Sequence, residues 1–446
     1  MRVAPRTRAT ARPAPAKISV AFGLLAIYVF LVYLRPYEYE SLAPAFRGVP
    51  LLPFLLLSML IVWVATIRKN FDAAQLPLGI GLMFWAPLTV ALTGWFGGAS
   101  EEFISFTPIM VLFLIAATTI DTPARLRALF LIVGFTTTVM ALHGIDQKQN
   151  EIGWSGARLV QDRITYVGFL NDPNDLALAL LVSIPMVLSF AHRRGNKFIG
   201  LLALSSTALM LYAVYLTNSR GAIVALAAMI MVYSLTRYGT RKSLFLAPVL
   251  LAVLVMAAPG RIAEISGDDD SATGRLSAWY EGFQMFKDRP ISGVGKSQFM
   301  EHHRRTAHNS YVLALAELGL VGYFLWFSML AVSVRMLLTL LRGPTPPPAI
   351  DDPTEALEWA EYRRLARVLF YSMTAFATAA FFLSRSYTIT LYLLLAMIIG
   401  LYQSARQRWP ELPTMQLKSL FGWLVKVSLI SIFAIWLVTR ILLTYT

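Results

Sequence analysis

Cysteine is absent from all 446 residues. That removes disulfides, thiolate nucleophiles and cysteine-ligated zinc together, so any chemistry must rest on other side chains. Charge is scarce too: Asp, Glu, Lys and Arg make up 14% of the chain, against 57% hydrophobic residues. A soluble chain of this length would hold two or three domains with charged surfaces, and this composition does not describe one. Acidic residues are fewer than basic ones, and the net charge is +14, yet the Lys and Arg residues are scattered among short loops. With no single basic face, the charge points to membrane topology and not to nucleic acid. Ionisable groups inside apolar stretches are almost missing, the exceptions being Glu317 near one boundary and Lys426. Coupled carriers usually place such groups within their spans, so the scarcity counts against a transporter. No internal repeat is visible.

What is present is a succession of apolar stretches long enough to cross about 30 Å of hydrocarbon. They predict an all-α, polytopic membrane helical bundle of about twelve transmembrane helices. The spans lie near residues 18–34, 49–67, 76–93, 103–120, 126–142, 176–191, 198–216, 221–236, 243–259, 311–341, 366–384 and 387–403. Residues 419–443, which carry Lys426, either add a thirteenth span or lie in the interface. Residues 1–17 are basic, rich in Pro and Ala, and read as a disordered tail. The stretch after them runs into YLRPYEYE with no small-residue cleavage pattern, so it is read as a retained first span.

Positive charge orients the bundle, because Lys and Arg in short loops stay on the cytoplasmic side. With the amino terminus inside, alternate loops place Arg68 and Lys69, Arg125 and Arg127, Arg193 and Arg194, and Arg237, Arg241 and Lys242 there. Two long outer segments follow, 143–175 and 260–310, with a short outer turn holding TNSRGA. The chain thus divides into the tail 1–17, an N-terminal bundle 18–259 with outer loop 143–175, and an outer loop 260–310 as the candidate catalytic segment. C-terminal helices 311–403 with a cytoplasmic insert 342–365 follow, then the segment 404–446. The insert begins proline-rich and ends as a surface helix.

Arg220, in TNSRGAIVAL, stands at the outer mouth of a span, where it is either a snorkelling anchor or a phosphate clamp. Arg275, in ATGRLSAWYEGFQMFKDRPISGVGKSQF, falls on a short amphipathic helix that precedes a tight loop with two glycines. The same pattern suits a helix resting on lipid, with Lys287, Arg289 and Lys296 toward headgroups. In TAHNSYVLALAELGLVGY, Asn309 or Ser310 caps a helix, whose positive dipole end then favours a neutral His308 able to accept a proton. A plain loop hydrogen bond would also account for that histidine. Glu301, His302, His303 and His308, and the acidic turn GDDDS at 267–271, lack a spacing that sets three metal ligands on one face. VGFLNDPNDLALAL reads as a turn, Asn171 to Asn174, then a helix capped by Asn174 or Asp175. Its amides could also line a sugar site. Arg385, in LSRSYT, is a phosphate contact or an anchor, and Arg35 and Glu38 form a candidate ion pair.

In order, NSRGA, GRLSAW, F-x-x-RPISGVG-x-x-x-F and AHNSYVLALAELGLVG resemble the O-antigen ligase and polymerase superfamily of bacterial envelope glycan assembly. FLNDPNDLA resembles its Asn-Pro-Asn element. The resemblance is sharpest over residues 215–323. It implies a multi-helix glycosyltransferase of the bacterial inner membrane, related in architecture to the GT-C class, with its active site at the periplasmic face. The donor would be a glycan on undecaprenyl diphosphate and the acceptor a lipid A core or other glycan, with no metal, no cofactor and no nucleotide sugar. Residue by residue, it puts the family's essential arginines at Arg220 and Arg275 and its essential histidine at His308. Asn309, Arg385, Asn171, Asn174 and Arg289 join them as candidate substrate contacts. The pattern around His308 favours a ligase, with a polymerase or a protein glycan ligase as alternatives of the same chemistry, and a lipid-linked glycan flippase as one of a different class.

Overall fold

A computed structural model describes residues 19–66, 70–191, 196–256, 269–343 and 352–444. The tail 1–17, Arg68, Lys69, Arg193, Arg194, residues 257–268 and the proline-rich stretch 344–351 lie outside these residues. Every long element described is a helix. In chain order they are α1 (Val20–Leu34), α2 (Leu51–Ala65), α3 (Gln75–Ala91), α4 (Phe96–Thr119), α5 (Pro123–Asn150), α6 (Pro173–Leu188) and α7 (Lys197–Leu216). There follow α8 (Arg220–Met256), α9 (Asp269–Asp288), α10 (Ser310–Arg342), α11 (Pro353–Ala379), α12 (Ile389–Arg408) and α13 (Leu417–Thr444).

Among the described residues, 8 helical segments are long and apolar enough to cross a membrane, and α2, α3 and α6 are shorter apolar helices. The protein is a multi-pass membrane helical bundle. The twelve or thirteen spans expected from sequence include helices too short, or, like the charged first half of α11, too polar to count by that measure. Helix α13 is 28 residues long, about 42 Å at the α-helical rise. It packs against α10, and its far end meets α9.

Burial follows the hydropathy only in part. Helix α12 sits at the centre, against α4, α10 and α11, and 89% of its apolar window is inside the protein, against 17% for α13. Both are apolar, but α12 faces other helices on all sides while α13 turns Phe433, Ile430 and Leu429 outward. In a bilayer the two environments are equally dry, so sequence hydropathy does not separate them.

Three local readings need correction. The α6 cap is Asp172, not Asn174 or Asp175: Pro173 takes the first helical position, where its missing N–H costs nothing, and Asp172 accepts from the Asn174 amide at 2.8 Å. The GDDDS stretch is not all turn, because α9 begins at Asp269. The span read at 311–341 is interrupted: Gly319 (φ 63°, ψ −165°) breaks α10 in its N-terminal third.

That break reorganises the backbone hydrogen bonds. In an unbroken helix the carbonyls of Ala316, Glu317 and Leu318 would accept from residues four further on. Here they accept from Val294 N (2.9 Å), Gly295 N (3.0 Å) and Trp85 Nε1 (3.0 Å), while Leu320 N turns to Pro290 O (2.8 Å). The Pro-Ile-Ser-Gly-Val-Gly strap thus docks into the broken helix like a short strand, and with Trp85 it satisfies the three carbonyls that the break releases. A Cβ on Gly319 would come within 2.3 Å of Ile291 O, and one on Gly293 within 2.4 Å of the Glu317 carbonyl carbon. Both positions have positive φ as well, so the two motifs that the sequence sets about 25 residues apart require glycine for one shared contact.

Candidate active site

Three chain segments meet at one end of the bundle. The first is the turn into α8, where Asn218 adopts left-handed φ and the Ser219 hydroxyl accepts from Ala222 N at 3.3 Å, which leaves Arg220 as the first helical residue. The second is α9. Arg275 and Trp279 are one turn apart, and the Trp279 indole donates to Ala307 O at 2.9 Å while its ring packs edge-on against Phe381 at 5.2 Å. Burial of this aromatic anchor fixes the helix face that carries Arg275.

The third is the turn before α10. Of the two caps read from the sequence, Asn309 and Ser310, the N-cap is Asn309, which accepts from Tyr311 N (2.9 Å) and Val312 N (3.2 Å). Ser310 then ties the turn to residues 380–386: its N–H donates to Ala380 O (2.7 Å) and its hydroxyl to Leu383 O (2.6 Å). That hydroxyl also accepts from Arg385 N (2.8 Å), and Ser386 Oγ donates to Ser310 O (2.8 Å). Held on both sides, His308 takes left-handed φ (47°), a conformation that costs about 1 kcal/mol or more for a residue with a side chain.

These segments enclose a cavity of about 270 Å³. Arg220, Arg275 and His308 all line it, with Asn174, Asn218 and Ser219 as polar neighbours and Phe382 and Leu383 as its apolar side. Arg163 and Gln161 line it as well; the sequence reading passed over both, since nothing local distinguishes an arginine in a loop. Among the described residues lining the cavity, none is a carboxylate.

The electrostatics follow from that lining. Burial pushes the proton affinity of Arg275 down, and the Arg220 charge pushes it further. His308 is held below the ordinary imidazole value by burial first and then by Arg275, partly offset by Asp172. The imidazole is therefore neutral near pH 7 and able to take a proton.

The remaining candidates fall elsewhere. Arg385 is clamped by the buried Asp175 carboxylate and does not line the cavity. Asn171 is an exposed residue closing a short 3-10 turn, and Arg289 is exposed beyond the end of α9. Asn309 is fully buried beneath its helix. Arg35 and Glu38 form the ion pair expected of them. Asn174 lines the cavity and accepts from Arg163 Nη2 at 2.8 Å, a role open to it because Asp172 does the capping.

Residues 205–327 match a family model described as O-antigen ligase. The match supports the O-antigen ligase superfamily. No curated protein matches the chain. The matched segment covers a little over a quarter of the chain and contains Arg220, Arg275, His308 and both halves of the glycine strap. The loop with Arg163 and Asn174 lies before it, yet folds against the same cavity.

Proposed function

We propose that the protein is a glycosyltransferase of the ligase type, moving a glycan from undecaprenyl diphosphate to a hydroxyl of a lipid A core sugar at the periplasmic face of the bacterial inner membrane. The observation that carries this reading is the convergence of Arg220, Arg275 and His308 on one polar cavity beside an apolar cleft. That cleft, about 610 Å³, lies between α8, α10, α11 and α13, with Tyr311, Phe327, Phe370 and Phe381 among its walls, and Phe382 borders both spaces. A lipid-linked substrate needs that pairing: a wet, cationic place for the head and an apolar place for the tail.

The chemistry follows from the charges. The acceptor O–H loses its proton to the neutral His308 as its oxygen attacks the anomeric carbon. The bond from that carbon to the diphosphate oxygen breaks with its electron pair on the oxygen, and Arg220 and Arg275 stabilise the growing charge. Attack opposite the leaving group inverts the anomeric centre. Prenyl diphosphate departs, and the proton returns from His308 to solvent. The spans, the acceptor in the outer leaflet and the twelve-helix architecture related to the GT-C class belong to the same proposal.

The test is direct. Protein purified into liposomes is given labelled lipid-linked glycan together with a lipid A core, a second lipid-linked repeat and a Ser/Thr peptide as competing acceptors. Label on the lipid A core, with release of undecaprenyl diphosphate, is expected. Label on the second repeat would make the protein a polymerase and label on the peptide a protein glycan ligase. Movement of intact donor across the bilayer, without bond cleavage, would make it a flippase.

A further inference from the structure

Arg163 lies on the loop between α5 and α6, outside the segment that matches the family model. The loop turns tightly there. Val160 and Arg163 exchange both backbone hydrogen bonds at 3.0 Å around Gln161 and Asp162, which both have left-handed φ, 52° and 61°. Two consecutive positive φ values are what a two-residue hairpin turn requires, and without glycine they are strained. Lys148 pins the turn from α5 through the Asp162 carboxylate and carbonyl. A strained, pinned turn fixes where the next residue points.

The Arg163 guanidinium is tied to two other segments of the chain. Its Nε donates to Thr217 O at 2.7 Å and its Nη2 to Asn174 Oδ1 at 2.8 Å. One side chain thus bridges the hairpin, the first turn of α6 and the residue three before Arg220. It does so in the wall of the cavity that also holds Arg220, Arg275 and His308. The third guanidinium therefore arrives already oriented, which reduces the entropy lost when it binds an anion.

We propose that Arg163 is a further residue of the diphosphate site and that Asn174 is its positioning residue. This rests on the reading given under Proposed function. A glycan-linked prenyl diphosphate gains one negative charge when its sugar leaves, and a third fixed cation favours that charged product over the bound donor. Arg163 accordingly contributes more to the rate than to donor affinity, and it distinguishes a diphosphate from a monophosphate. Asn174 keeps the fork in place.

The experiment uses the full chain in detergent and liposomes, with undecaprenyl diphosphate and undecaprenyl monophosphate as probes. Wild type is expected to bind the diphosphate more tightly. Arg163→Gln should lose most of that preference and lower kcat on the order of 100-fold, with a smaller change in donor KM. Arg163→Lys, keeping charge without the fork, should recover part of both. Asn174→Ala should lower kcat several-fold at unchanged melting temperature. Arg163→Gln that keeps the wild-type preference and kcat overturns the assignment, as does a loss in Gln and Lys variants alike that tracks only a lower melting temperature. Arg275→Gln run in parallel separates the two levels. If it loses the preference and Arg163→Gln does not, Arg163 alone is wrong; if wild type shows no preference and no transfer, the ligase reading falls with it.

Discussion

Two arginines at the same mouth of the bundle, Arg275 and Arg385, meet opposite surroundings. Burial opposes the charge of both. For Arg385 the hydrogen bond and charge of Asp175 more than offset burial, and its proton is held more tightly than in water. For Arg275 the charge that acts is another arginine, Arg220, and its proton is held less tightly. No hydrogen bond or ion pair joins Arg275 or Arg220 to a partner among the described residues. A cation with its own carboxylate is structural material, whereas two like charges lining one cavity with no carboxylate among its described lining residues are what the proposed diphosphate site needs.

That contrast can be broken by experiment. The largest effect is expected at the group the two free cations serve. His308→Ala should reduce transfer by about 100- to 10,000-fold with an unchanged melting temperature, and near-normal turnover would remove the base from this position. Arg275→Lys retains charge but loses the fork, so transfer should fall by roughly 10- to 100-fold while stability holds; a normal rate would make Arg275 a headgroup anchor. Arg385→Gln should reverse the pattern. It leaves Asp175 buried alone at a cost of about 3–5 kcal/mol, seen as a lower melting temperature, while the fraction that stays folded transfers at a rate closer to wild type than the Arg275 variant. Equal stability losses in the two variants would abolish the distinction.

The smallest effect is on pH dependence. Because burial, Arg275, Arg385 and Arg305 lower the affinity of His308 for a proton and only Asp172 raises it, neutral imidazole persists below the usual 6.5. Transfer should be level through neutrality and fall only on the acid side of that value. Arg305 is exposed and its charge partly screened, so Arg305→Gln should move the acid limb up slightly without changing the plateau. A limb that does not respond, or that lies above 6.5 in the wild type, would mean that another group is titrating.

How much of this the sequence carried depended on range. The cap at Asn309 or Ser310 was legible because a cap, a polar neighbour and an apolar run lie within six residues; likewise α8 is broken at Gly239 (φ 77°, ψ 169°), in the gap between the apolar stretches 221–236 and 243–259. The break at Gly319 was not legible, because the leucines and valines around it continue the hydropathy without a pause. Its cause, the strap at 290–295, has to fold back before the glycine has a reason. Arg385 was the harder case. A lone arginine in a short outer turn looks the same whether its partner is a phosphate or Asp175, which lies 210 positions away. Arg163 was missed for the same reason: its role comes from two acceptors, Thr217 and Asn174, on other segments.

The strap and the broken helix also close a ring. Pro290 is tied to Leu320, and Val294 and Gly295 to Ala316 and Glu317, so the segment between residues 295 and 316 has its two ends hydrogen-bonded to each other. Length added or removed near residues 300–305, within the ring and ahead of the Ala307 and Ser310 ties, is therefore expected to leave the melting temperature unchanged. A ring closed in this way separates the length of its exposed arc from the register of the helices that carry it.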